Sequence, residues 1–115
     1  MGVVIKIVNL EAGMPSVEQA RSQLTTALAR ARQSESRLLK VIHGYGSSGV
    51  GGALRGALQG ALARYKMAGE IRDFIAGEDW RVADETTWEL LKRYPELKGD
   101  SDLGRGNRGI TIVVL

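Results

Sequence analysis

The chain's one histidine, His43, opens a glycine-rich stretch, His43-Gly44-Tyr45-Gly46-Ser47-Ser48-Gly49, that follows an apolar run. A carboxylate, Glu11, follows another apolar run near the start of the chain. If both runs are neighbouring parallel strands, these residues leave the same ends, where α/β proteins gather their sites. Adjacent strands lie about 4.8 Å apart, which brings Glu11 within reach of His43. Such a pair can share acid–base work, or the carboxylate can set the histidine's tautomer and raise its pKa. The alternative is that His43 only donates a hydrogen bond that orders the loop. With one histidine and no cysteine, a histidine-cluster or thiolate metal site is excluded within one chain. Any metal would rest on carboxylates, Glu11 first, which suits Mg²⁺ or Mn²⁺.

The loop itself has the composition of an anion site. Glycines let a ligand approach the backbone, and the free N–H groups of Gly44, Gly46, Ser47, Ser48 and Gly49 lead into a predicted helix N-terminus. Lys40, Arg55 and Lys66 could add charge, though sequence does not fix their direction. Gly49 is followed by Val50 rather than lysine, so this is not a Walker A loop. Ser47 and Ser48 do not match the G-x-S-x-G elbow of serine hydrolases. Tyr45 offers either a stacking surface for a nucleobase or a cover for the sheet's edge.

Charge is unevenly spread. Between Arg21 and Lys66 stand eight basic residues and one acid, Glu35, in a chain of 115 residues with net charge +3. A basic half implies a polyanion such as DNA or RNA, against the plainer reading of solvated helix faces. No apolar run reaches the roughly 20 residues that span a bilayer. The N-terminus lacks a basic segment and has too short an apolar run for a signal peptide, so no membrane partner is expected. The cysteine-free composition suits a cytoplasmic protein.

The elements that position these residues are readable. Residues 3–8, VVIKIV, predict a strand buried on both faces. Ser16 is the expected N-cap of a helix ending near Glu35, with Val17, Ala20, Leu24, Ala27, Leu28 and Ala31 inward. A second strand spans 37–42. A second helix spans about 50–66, with Leu54, Leu58, Leu62 and Tyr65 on its core face. Glycines 52, 56 and 60 form one strip of that helix, and tight packing on the sheet is the expected reason. A third strand covers 70–75. Residues 76–108 predict an inserted segment carrying a short helix capped by Asp84, with Trp88, Leu90 and Leu91 inward. Residues 109–115 form a last buried strand, which can run antiparallel. The expectation is one domain over 1–115, an α/β two-layer sandwich of β-α-β-α-β-(α)-β order with a four-stranded, mostly parallel or mixed sheet.

The stretches KVIHGYGSSGVGGALRGAL, GITIVVL and IVNLEAGMPSVEQA together resemble the Smr (small MutS-related) domain family. The family's marks are a first strand ending in L-D-x-H-G, a second ending in H-G-x-G, a helix entered through L-R (here Leu54-Arg55) and a final G-x-T-V-V-x-L strand. The resemblance covers most of the chain outside about 76–108. It implies a fold similar to the C-terminal domain of translation initiation factor 3, and nucleic-acid binding. It also implies DNA nicking or RNA cleavage, in roles from DNA repair and recombination control to ribosome rescue. The first motif departs from the pattern: Val8-Asn9-Leu10-Glu11 places Asn9 for the acid and Glu11 for the histidine. If the chain cuts phosphodiesters, His43 and Glu11 are then the catalytic candidates and Asn9 orients. A non-catalytic adaptor for structured DNA, RNA or ribosomes is the second reading. A small phosphorylated ligand in the same loop is the third.

Overall fold

The computed structural model describes residues 3–45 and 50–115. The chain runs β1 (Ile5–Asn9), α1 (Val17–Gln33), β2 (Leu38–Ile42), α2 (Val50–Met67), β3 (Asp73–Ala76), α3 (Glu85–Arg93) and β4 (Ile110–Val114), with short 3₁₀ turns at Gly77–Asp79 and Pro95–Gly99. Among the described residues the strands form one sheet in the order β1-β2-β4-β3. β1 is parallel to β2, and β4 is antiparallel to both β2 and β3. The sheet is mixed, and the last strand is the antiparallel one. β1, β2 and β3 therefore end at one edge of the sheet, where β4 begins.

Local chemistry explains the elements. Ser16 Oγ accepts from Gln19 N at 3.1 Å, and Gln19 Oε1 accepts from Ser16 N at 2.9 Å, a capping box that starts α1. Ala20, Leu24, Ala27, Leu28 and Ala31 are buried on its inner stripe. α2 contributes Leu54, Leu58, Ala61 and Leu62 to the same cluster, which packs on Leu39 and Val41 of β2 and Val113 of β4. Alternate strand residues, Leu38, Ile75, Ile110 and Ile112, face the other way, against Trp80, Leu90, Leu91 and Leu97. The two long helices thus form the sandwich's helical layer, and the segment after β3 covers the sheet's second face.

Three expectations are corrected. β1 is an edge strand, not one buried on both faces. Ile7, on the same side as Ile5, extends beyond the cover supplied by residues 77–109 and is 58% exposed. Trp88 is also exposed, while Trp80 is fully buried. α3 buries Thr87, Leu90 and Leu91, a spacing that turns position 88 toward solvent. Thr87 is drawn inward because its Oγ1 donates to Asp79 O at 3.0 Å and to the capping carboxylate of Asp84 at 2.8 Å. The glycine strip is not packed on the sheet. A Cβ at Gly56 would meet nothing within 4 Å, and one at Gly52 or Gly60 would meet only ordinary contacts at 3.6 and 3.8 Å.

Candidate functional site

The site sits at the edge where β1, β2 and β3 end. Asn9, the last residue of β1, turns the chain: its Oδ1 accepts from Glu11 N at 2.9 Å and Ala12 N at 3.0 Å. Leu10 N donates to Ile42 O at 2.8 Å, which keeps this turn beside the end of β2. Glu11 is exposed and lays its carboxylate over Gly44, where an added Cβ would come within 2.8 Å of Oε2. Gly44 also has φ of +71°, a left-handed conformation that favours glycine.

His43 is fully buried. Its Nδ1 lies 2.6 Å from Gly44 O, and its Nε2 lies 2.9 Å from Thr111 Oγ1. A carbonyl can only accept, so the partners assign the proton to Nδ1, and Thr111 donates to Nε2. Gln59 Nε2 donates to Thr111 Oγ1 at 3.3 Å and completes the chain. Burial pushes the imidazole's pKa below its ordinary 6.5, helped by nearby Arg55 and opposed by the bond to Gly44 and by Glu11 and Glu78. The backbone is held equally firmly: His43 N and Gly44 N both donate to Gly109 O, at 2.9 and 3.0 Å.

Arg55, from α2, reaches the same edge and pairs with Glu78 at 2.6 Å. Arg108 approaches the same Glu78 oxygen at 3.5 Å. Burial disfavours the charged Glu78, but its own backbone N–H, Arg55 and Arg108 outweigh that and hold its pKa below the usual value. Among the described residues, Arg55 Nε and Glu78 Oε1 are buried with no hydrogen-bond partner.

The structure brings Glu11, His43, Gly44 and Arg55 together. Tyr45 follows directly and is 57% exposed. Lys40 is not part of the group. It points to the sheet's other face, where its Nζ lies 2.7 Å from an oxygen of each of Asp100 and Asp102. Alternation along β2 dictates this: Lys40 shares its side with Leu38 and lies opposite Ile112. Gly46, Ser47, Ser48 and Gly49 lie outside the described residues. Sequence reasoning missed Glu78, Gln59 and Thr111. Thr111 had a signal, as the one polar residue in an apolar strand. Glu78 had none, because its approach depends on the sheet order. Among the described residues no group of three or more His, Cys, Asp or Glu is placed to hold a metal ion. Glu11 and Glu78 are the carboxylates nearest His43. A cavity of about 370 Å³ lies alongside, between β1 and α1, and meets the site only at Asn9 and Leu10.

The Smr domain family matches residues 12–80, more than half of the chain, a span that begins one residue after Glu11. The chain belongs to the Smr domain family, a family of nucleic-acid-binding and nicking domains. The crystal structure of the Smr domain of Thermus thermophilus MutS2 is similar, with a TM-score of 0.59 at 26% identity over 96% of each chain. No curated protein matches the chain. The resemblance and the α/β fold expected from sequence are both borne out. Among the described residues no helix is long and apolar enough to cross a membrane.

Proposed function

We propose that residues 1–115 act as one nucleic-acid-binding domain, engaging backbone phosphates at the edge where β1, β2 and β3 end. The observation that carries this is the Arg55–Glu78 pair, with one buried donor and one buried acceptor unpartnered within a matched Smr domain. Unsatisfied buried polar atoms are costly. A phosphate that displaces Glu78 from the partly exposed guanidinium takes over its donors, and arginine's fork suits phosphate geometry. The exposed Arg21, Arg30 and Arg64 add long-range attraction. Cysteine-free composition suits a cytoplasmic setting.

The test is a salt titration of affinity for DNA, structured RNA and ribosomes, which present the same phosphate chemistry. Arg55→Gln should weaken binding and flatten the slope of log K against log salt by about one unit per lost contact. An unchanged slope removes Arg55 from the interface, and no binding at low salt sinks the reading.

Phosphodiester cleavage is the second reading, favoured by the exposed Glu11 carboxylate over Gly44 and beside His43. Glu11 would act as base or hold Mg²⁺ or Mn²⁺, and His43 would have to release one of its two hydrogen bonds to take part. Supercoiled plasmid and structured RNA, incubated with Mg²⁺, Mn²⁺ or EDTA, test it. Cleavage that survives in both Glu11→Gln and His43→Gln would exclude this pair.

A further inference from the structure

The opposite pole of the sheet carries a second concentration of positive charge. A cavity of about 310 Å³ there is bordered by Arg37, Arg72 and Arg93, together with Tyr94, Leu90, Val114 and Leu115. The arginines come from three separate places: the residue before β2, the residue before β3 and the last residue of α3. The backbone fixes two of them. Arg72 N donates to Val114 O at 2.8 Å, and Leu115 N donates to Arg37 O at 3.0 Å, so Arg37 and Arg72 flank the end of β4 on either side. Arg93 stands over the Tyr94 ring, 6.0 Å from its centroid.

Like most cations among the described residues, these three have no carboxylate partner; what sets them together is the one cavity they border. Lys40, Arg55, Lys66, Lys92 and Arg108 each have a carboxylate within 4.0 Å. Among the described residues no carboxylate comes that close to Arg37, Arg72 or Arg93, and the one anionic group at the cavity is the carboxylate of Leu115, against three cations. Three like charges around one space repel one another. The carboxyl end of α3 supplies a partial negative charge that offsets part of one arginine.

We propose that this cavity is a second anion site, built for a phosphate monoester. A dianion answers three cations better than a diester does, and planar guanidinium forks match phosphate oxygens. The volume sits at the small end of ligand pockets, which suits a terminal phosphate or a mononucleotide rather than a duplex. The site lies at the far end of the strands from Glu11 and Arg55, and it does not depend on the function proposed for that end.

The experiment is an NMR titration of the whole chain with inorganic phosphate, a nucleoside 5′-monophosphate, and paired 5′-phosphorylated and 5′-hydroxyl single strands. The expected result is that amides at 37, 72 and 93 move with the monophosphate. In Arg72→Gln/Arg93→Gln the affinity should fall at least tenfold, on the order of one lost charge-assisted contact. Arg72→Lys, which keeps charge but loses the fork, should fall between. Binding of small monophosphates alone identifies a free ligand as the source. A preference for the 5′-phosphorylated strand identifies a nucleic-acid end. If no phosphate form moves these amides, and both strands bind alike, the proposal is overturned. All three arginines are exposed, so matching melting curves are expected and confirm that the variants fold.

Discussion

His43 Nε2 and Thr111 Oγ1 lie 2.9 Å apart across the β2–β4 boundary, and neither residue is exposed. The hydrogen bond ties the end of β2 to the start of β4, and burial, against the bond that the other nitrogen donates to Gly44 O, lowers the imidazole's pKa.

Stability should therefore depend on pH through this histidine. Its folded pKa lies below the ordinary 6.5, so the unfolded chain takes up the proton first as pH falls. The stabilisation is complete above 6.5 and is lost as pH falls through that value toward the lowered one. Glu78 and Asp102 are lowered from 4.5 and 3.8, so their contributions fade only in more acid solution. Melting temperature should fall between about pH 7.5 and about pH 5.5 in the wild type. His43→Gln should melt lower throughout but lose that slope; a variant with the wild-type slope would exclude His43 as its source.

The two tryptophans should behave oppositely. Trp80 is fully buried and donates from Nε1 to Asp100 at 3.2 Å, so Trp80→Ala should cost about 3–5 kcal/mol. Trp88 is 43% exposed, with Lys92 over its ring, and Trp88→Ala should stay within about 0.5 kcal/mol. Urea denaturation of both variants measures the contrast, and equal losses would contradict the packing described for α3.

Lys40 is 3% exposed between two carboxylates. Burial works against its charge, but the hydrogen bonds and charges of Asp100 and Asp102 raise its pKa above 10.5. Lys40→Met should cost about 3–5 kcal/mol by leaving buried carboxylates uncompensated. Protonating Asp102, whose pKa the Lys40 ammonium helps to lower, should narrow the deficit in acid. Chemical denaturation across pH reads both effects, and a deficit that does not shrink would point to lost packing instead.

Gly56 faces open space on α2, so Gly56→Ala should stabilise by up to about 1 kcal/mol. A higher melting temperature is the expected observation. A lower one would mean that the helix surface at this position is closed rather than open.

Much of the fold was legible because it rests on local signals. Ser16 and Asp84 announce their helices by capping chemistry, and Leu24, Leu28, Leu54, Leu58 and Leu62 announce the buried stripes by spacing. Which way a strand's charged residue points is not local. Lys40 could be assigned a face only once the partners Asp100 and Asp102, 60 or more positions away, were in place. Trp88 and Thr87 differ by one position on a helix, and the side turned inward was decided by a threonine's hydrogen bonds. At the site, Glu11, His43 and Arg55 were legible from type and spacing. Glu78 was not, because its approach depends on the sheet order.

That order has a consequence for biosynthesis. β4, the last strand in the sequence, lies between β2 and β3, and β3 joins the β1–β2 pair only through it. A ribosome delivers Leu38–Ile42 and Asp73–Ala76 well before Ile110–Val114. Chains are made at about 5–20 residues per second, so the 34 positions from Ala76 to Ile110 take seconds to add. During that interval two strands wait with unpaired edges, and sheet assembly completes only after residues 110–114 emerge.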